Sequence, residues 1–74
     1  MELHEERKIK YDGLEIQVNI FLLDYHTQKF RVSVFYQKHQ ERAIFREGYD
    51  KEMVIDQAIE ILKYKYPSGV MKII

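Results

Sequence analysis

The sequence predicts an α+β fold: an antiparallel four-stranded meander with one helix packed on one face. Three observations carry this. An Asp-Gly pair joins two periodic segments near the N-terminus, two long segments alternate apolar and polar residues, and after Gly48 the apolar period changes from 2 to 3.6. No repeat, linker or low-complexity run divides the 74 residues, so 1–74 reads as one domain.

"YDGL" (Tyr11–Leu14) is the strongest local signal, because Asp-Gly favours the two-residue turn with positive φ that joins antiparallel strands. With that turn Tyr11 faces Leu14, Lys10 faces Glu15 and Ile9 faces Ile16, which keeps apolar pairs on one side and an opposite-charge pair on the other. In "LEIQVNIFLL" the residues Leu14, Ile16, Val18, Ile20 and Leu22 form the core side. After the polar loop "DYHTQK", the third segment "FRVSVFYQ" puts Phe30, Val32, Val34 and Tyr36 on the same side. Pairing Leu22 with Phe30, Ile20 with Val32 and Val18 with Val34 keeps the apolar faces together. "KHQER" is the next turn, and "AIFREG" a short fourth strand whose inward side stays open, since Ala43, Ile44 and Phe45 are all apolar.

Asp50 then suits a helix N-cap, and "KEMVIDQAIEILKYKY" aligns Ile55, Ala58, Ile59, Leu62 and Tyr66, flanked by Val54 and Ile61. Glu52 near the start and Lys63 and Lys65 near the end match the helix dipole, and Pro67 and Gly69 stop it. The terminal "VMKII" (70–74) reads either as a fifth strand or as an apolar tail laid across the sheet.

A chain this small buries only about 60–65% of the surface it exposes when unfolded, so its stability margin is thin. The 46% hydrophobic content is that of a folded globule. With no cysteine, neither disulfides nor thiolate metal sites supplement the core, and the expected location is the cytoplasm. The longest apolar run, Ile20–Leu23, is too short to span a membrane, and the N-terminal "MELHEERKIK" is acidic where a signal peptide is basic and then apolar.

Chemistry is sparse. The histidines His4, His26 and His39 match no metal-ligand spacing, and His26 and His39 lie at opposite ends of the third strand. Ser33 and Ser68 have no histidine nearby in the predicted layout, Asp50, Glu52, Asp56 and Glu60 are cap and outer-face positions, and Gly13, Gly48 and Gly69 make no phosphate loop. The expectation is a non-enzymatic chain with no metal, cofactor or small-molecule substrate.

One helix covers one side of a sheet. The other side is expected to carry Lys10, Glu15, Gln17, Asn19, Phe21, Leu23, Arg31, Ser33, Phe35 and Gln37, a polar surface interrupted by apolar residues. Phe21, Leu23, Arg31, Phe35 and Arg46 are therefore the candidate partner-binding residues, with Met53 and Tyr64 on the outer side of the helix as a second, weaker candidate surface. The partner expected is another protein or a second copy of the chain, as suits a regulator, inhibitor or accessory subunit of the kind mobile elements encode. The alternative is nucleic acid. Between Lys29 and Arg46 five cations stand against Glu41 alone, a +4 segment in a chain of zero net charge, and aromatic side chains are interleaved with them.

The order of strands, glycine and amphipathic helix in "FRVSV…EGYDKEMVIDQAIEIL" resembles the strand-strand-helix domains of the HicB antitoxin family over about half of the chain. "YQKHQER" replaces the Pro-rich turn of that family and an extra hairpin precedes it. Those departures leave the resemblance without an assignment.

Overall fold

A computed structural model describes residues 2–73. Four antiparallel strands, β1 (Leu3–Tyr11), β2 (Leu14–Asp24), β3 (Lys29–Tyr36) and β4 (Ile44–Gly48), form one sheet in the order β1-β2-β3-β4. Helix α1 (Lys51–Lys65) packs on one face, and a short helix α2 (Ser68–Ile73) follows.

The hairpin turn forms because Asp12 and Gly13 both take positive φ, 50° and 78°, a combination that favours these two residue types. It sets the expected register: Tyr11 opposite Leu14, Lys10 opposite Glu15, Ile9 opposite Ile16. At the other end of β2 the Asp24 carboxylate accepts the backbone N–H groups of His26 and Thr27, closing the polar loop locally. The β2–β3 register then pairs Val18 with Val34, Ile20 with Val32 and Leu22 with Phe30, as the apolar alternation requires.

Ile16, Val18, Ile20, Val32, Val34 and Tyr36 consequently lie on one side, buried under Val54, Ile55, Ala58 and Leu62 of α1. The Asp50 carboxylate accepts the Met53 N–H and starts the helix as the sequence predicts. Gly48 lets α1 approach the end of β4: a Cβ there would lie 2.7 Å from Cγ2 of the buried Val54. At the far end the Tyr36 hydroxyl, inside the core, donates to the Tyr66 carbonyl at 2.8 Å and ties the helix terminus to the sheet.

Because α1 packs against β3 and β4, the inner side of β1 is partly uncovered, and polar side chains fill that place. Arg7 stands opposite Val18 and Glu5 opposite Ile20, so both are on the helix side. Arg7 makes a two-pronged contact with Glu52 (2.9 and 2.7 Å) and pairs with Glu5, which also accepts from Lys51 at 2.9 Å. Further along, Lys63 lies 4.1 Å from the centre of the Tyr11 ring.

Of the two readings of 70–74, a fifth strand or an apolar tail across the sheet, the strand does not form among the described residues: 68–73 are helical, while Ile74 lies outside the described residues. Proline begins helices well because its φ is preset, and the Pro67 carbonyl accepts both the Val70 and Met71 N–H groups. The helical turn delivers Met71 to the core, where it is buried with Leu62 and Tyr36. Ser68 and Lys72 of α2 both reach Asp12 in the hairpin turn. No described helix is long and apolar enough to cross a membrane.

The close approach at Gly48 yields a measurable expectation. Gly48→Ala should lower the urea midpoint, with a loss of about 1–3 kcal/mol from overpacking, and Val54→Ala in the same chain should cost less than the two single changes added together. Strict additivity would mean that Gly48 and Val54 are not in steric contact.

Candidate functional site

The register that buries one side of the sheet fixes the other. Across the strands, Leu3, Phe21, Arg31 and Glu47 form one row of the reverse face, and Glu6, Asn19, Ser33 and Phe45 the next. Gln17 and Phe35 belong to the row after that, with Lys8 beyond Gln17. No helix of the described chain covers this side.

Phe45 is the most exposed aromatic residue of this face at 62%, and Leu3 is 49% exposed. Phe21, Leu23 and Arg31 are half-buried. The structure corrects the expectation for Phe35, which faces away from α1 yet is only 9% exposed. A chain of amides lies on the same face: Gln37 donates to Gln17 at 3.1 Å, and Gln17 donates to Asn19 at 2.8 Å and to Glu6 at 3.3 Å. Gln17 and Ser33 on this face are buried too, the latter against the expectation of a solvent-facing hydroxyl. Among the described residues no fully buried side-chain nitrogen or oxygen lacks a hydrogen-bond partner.

Arg46 also departs from its expected position. It pairs in register with Val32 and so starts from the helix side of the sheet, at the open edge of β4, where it lines hollows on either side. The reverse-face residue of β4 is instead Phe45, opposite Ser33, and Ile44 is the inward one. The register opposite β3 resolves the face that three adjacent apolar residues left open. Leu3 had no periodic signal, because its orientation follows a register shift between Leu3 and Glu5 that sequence alternation does not reveal.

The cations of segment 29–46 do not form one surface. Lys29 and Arg31 converge on Glu47, with Arg31 Nε 2.7 Å from the carboxylate. Arg42 lies over the Tyr66 ring, 5.5 Å from its centre, at the opposite end of the molecule from Lys29. The Glu47 carboxyl is held below the usual carboxylate range by its hydrogen bonds from Arg31. On the reverse face Glu6, Glu15 and Glu47 are interspersed with Lys8, Lys10 and Arg31, and of these Glu47 and Arg31 are joined directly.

On the outer side of α1, Met53 is 56% and Tyr64 86% exposed. Met53, Gln57, Glu60 and Tyr64 follow one another at helical spacing along a single stripe. Its first part borders a shallow, open groove toward Arg46 that Tyr64 does not line. The histidines stay separate: His4 packs its ring 5.7 Å from Phe30, while His26 lies in the β2–β3 loop and His39 beyond β3. No group of three or more metal-ligating side chains occurs among the described residues.

Compared with known proteins, the chain matches no family model, and no curated protein or solved structure matches it significantly.

The exposed ion pairs set a pH dependence. Hydrogen bonds from Arg7 and then Lys51 lower the Glu5 carboxyl from 4.5 to about 2, and those from Arg7 lower Glu52. Hydrogen bonds from Ser68 and then Lys72 lower Asp12. A carboxyl with a lowered folded-state pKa contributes stability above its unfolded value and loses it as pH falls through the folded one. Urea midpoints should therefore hold steady down to about pH 4.5 and decline toward about pH 2, more gently in high salt. Arg7→Gln should flatten that decline, and an unchanged slope would remove the Arg7 network as its source.

Proposed function

We propose that this chain is a small non-enzymatic protein-binding module whose reverse sheet face is covered by another protein surface, in the first place that of a second copy. The observation that carries the reading is Phe45, a large aromatic side chain 62% exposed on an uncovered sheet face, in the row beside Leu3 and Phe21. Covering it removes apolar surface from water at a gain of about 25 cal/mol per Å².

The electrostatics of the face support this. Arg31 is already bonded to Glu47, and Gln17 to its amide neighbours, so docking over that part of the face strips few unpaired polar groups of water. A face whose positive and negative side chains balance meets its own copy without net repulsion, whereas a polyanion finds no continuous basic surface. Edge-to-edge association is disfavoured on the β1 side, where Glu5, Glu6, Arg7, Lys8 and Lys10 crowd one strand. On that side the face rather than the edge is then the route to assembly. Such a module acts by occupancy, as a regulator, inhibitor or accessory subunit does.

Light scattering across a concentration series tests this. The wild-type chain should approach twice the monomer mass, and Phe45→Ser should return it to monomer with an unchanged far-ultraviolet circular dichroism spectrum. A wild-type chain that stays monomeric at every concentration, and retains no protein that Phe45→Ser releases, would overturn the proposal. A partner of a different chain retained through Phe45 would replace the second copy as occupant while keeping the face.

A further inference from the structure

The groove between the edge of β4 and the outer side of α1 has a different chemistry from the sheet face. Met53 and Ile61 supply its apolar surface, eight residues and so about 12 Å apart along the helix axis. Asp50, Glu52, Asp56 and Glu60 border them, with Arg46 the one cation of the lining. Two of these carboxylates are already engaged, Asp50 in capping the helix and Glu52 with Arg7. Asp56 and Glu60 are not: among the described residues no cation lies within ion-pair distance of either. They stand one turn apart on α1, a like-charge spacing that disfavours the helix until a cation sits between them.

From this we infer that the groove docks a cationic amphipathic helix of a partner protein, its apolar side on Met53 and Ile61 and its lysine or arginine side chains at Asp56 and Glu60. An apolar strip flanked by acidic side chains is the complement of an apolar strip flanked by basic ones. Exposure of Met53 beyond half its surface gives the apolar side chains of the incoming helix something to cover, and methionine adapts its shape to them. The inference is independent of the reverse face, which lies on the other side of the sheet.

A fluorescein-labelled synthetic helix of leucine and lysine, with leucines at i, i+4 and i+7, is the probe. Its anisotropy should rise saturably with the full chain, and the affinity should fall about tenfold or more between about 0.05 and 0.5 M salt. Met53→Ser and the double change D56K/E60K should each weaken it about tenfold, whereas Phe45→Ser should leave it unchanged. Amide shifts of Met53, Gln57 and Ile61 in the wild-type chain would locate the peptide without recourse to any variant. No saturable binding, equal binding of a peptide with glutamate in place of lysine, or undiminished binding by D56K/E60K would overturn the inference. So would a fall in self-association in D56K/E60K but not in Phe45→Ser, since the occupant would then be a second copy.

Discussion

The whole structure depends on a single helix laid over a single side of a sheet. Only one set of alternating residues in β2 and β3 can be dry, and that set meets Val54, Ile55, Ala58 and Leu62 directly. Each fully buried aliphatic side chain contributes about 1.5–3 kcal/mol relative to exposure, and a chain this short has few of them to oppose the entropy of ordering. The position of α1 is therefore tightly constrained. Asp50 fixes where it begins, Gly48 permits its close approach, and the Tyr36 hydroxyl holds its end. Burial raises the pKa of that hydroxyl, the expected response of a phenol removed from water.

From that constraint follows the handling of everything the helix does not reach. The inner side of β1 lies at the margin of the layer, so its apolar residues are confined to Ile9 and Tyr11, and Glu5 and Arg7 take over toward the start of α1. Those ions remain partly in water, which keeps their desolvation cost low and their individual contribution modest. On the reverse face the solution differs. Glutamine and asparagine side chains are linked by hydrogen bonds across the strands, and Phe35 on the same face is buried without a second layer.

Most of the fold was legible in the sequence because side-chain alternation and turn chemistry agreed. Asp12-Gly13 fixed one register, the paired apolar sets of β2 and β3 fixed the next, and the period change after Gly48 located α1 to within a residue. What was hidden has common causes. Alternation is uninformative where successive residues are all apolar, as at Ala43, Ile44 and Phe45, so the outward position of Phe45 and the edge position of Arg46 came only with the pairing to β3. "VMKII" is too short for its period to be read, and its helical turn starts from hydrogen bonds to the Pro67 carbonyl. The face of Phe35 was legible and its burial was not, because burial on an uncovered face depends on neighbouring side-chain conformations rather than on spacing.

The two exposed surfaces differ in the forces available to a partner. On the sheet face, Arg31 is paired with Glu47 and charges of both signs are interspersed, so the attraction proposed there resides mainly in apolar area and responds weakly to salt. At the groove, unpaired carboxylates precede the apolar contact, so attraction begins at a distance and falls with ionic strength. α1 is the element common to both: its inner side braces the sheet that presents Phe45, and its outer side carries Met53, Asp56 and Glu60. Because the inner side is locked by Val54, Ile55 and Leu62, occupation of the outer side can transmit little displacement through it. Binding at the two proposed surfaces is then expected to be independent rather than coupled through α1.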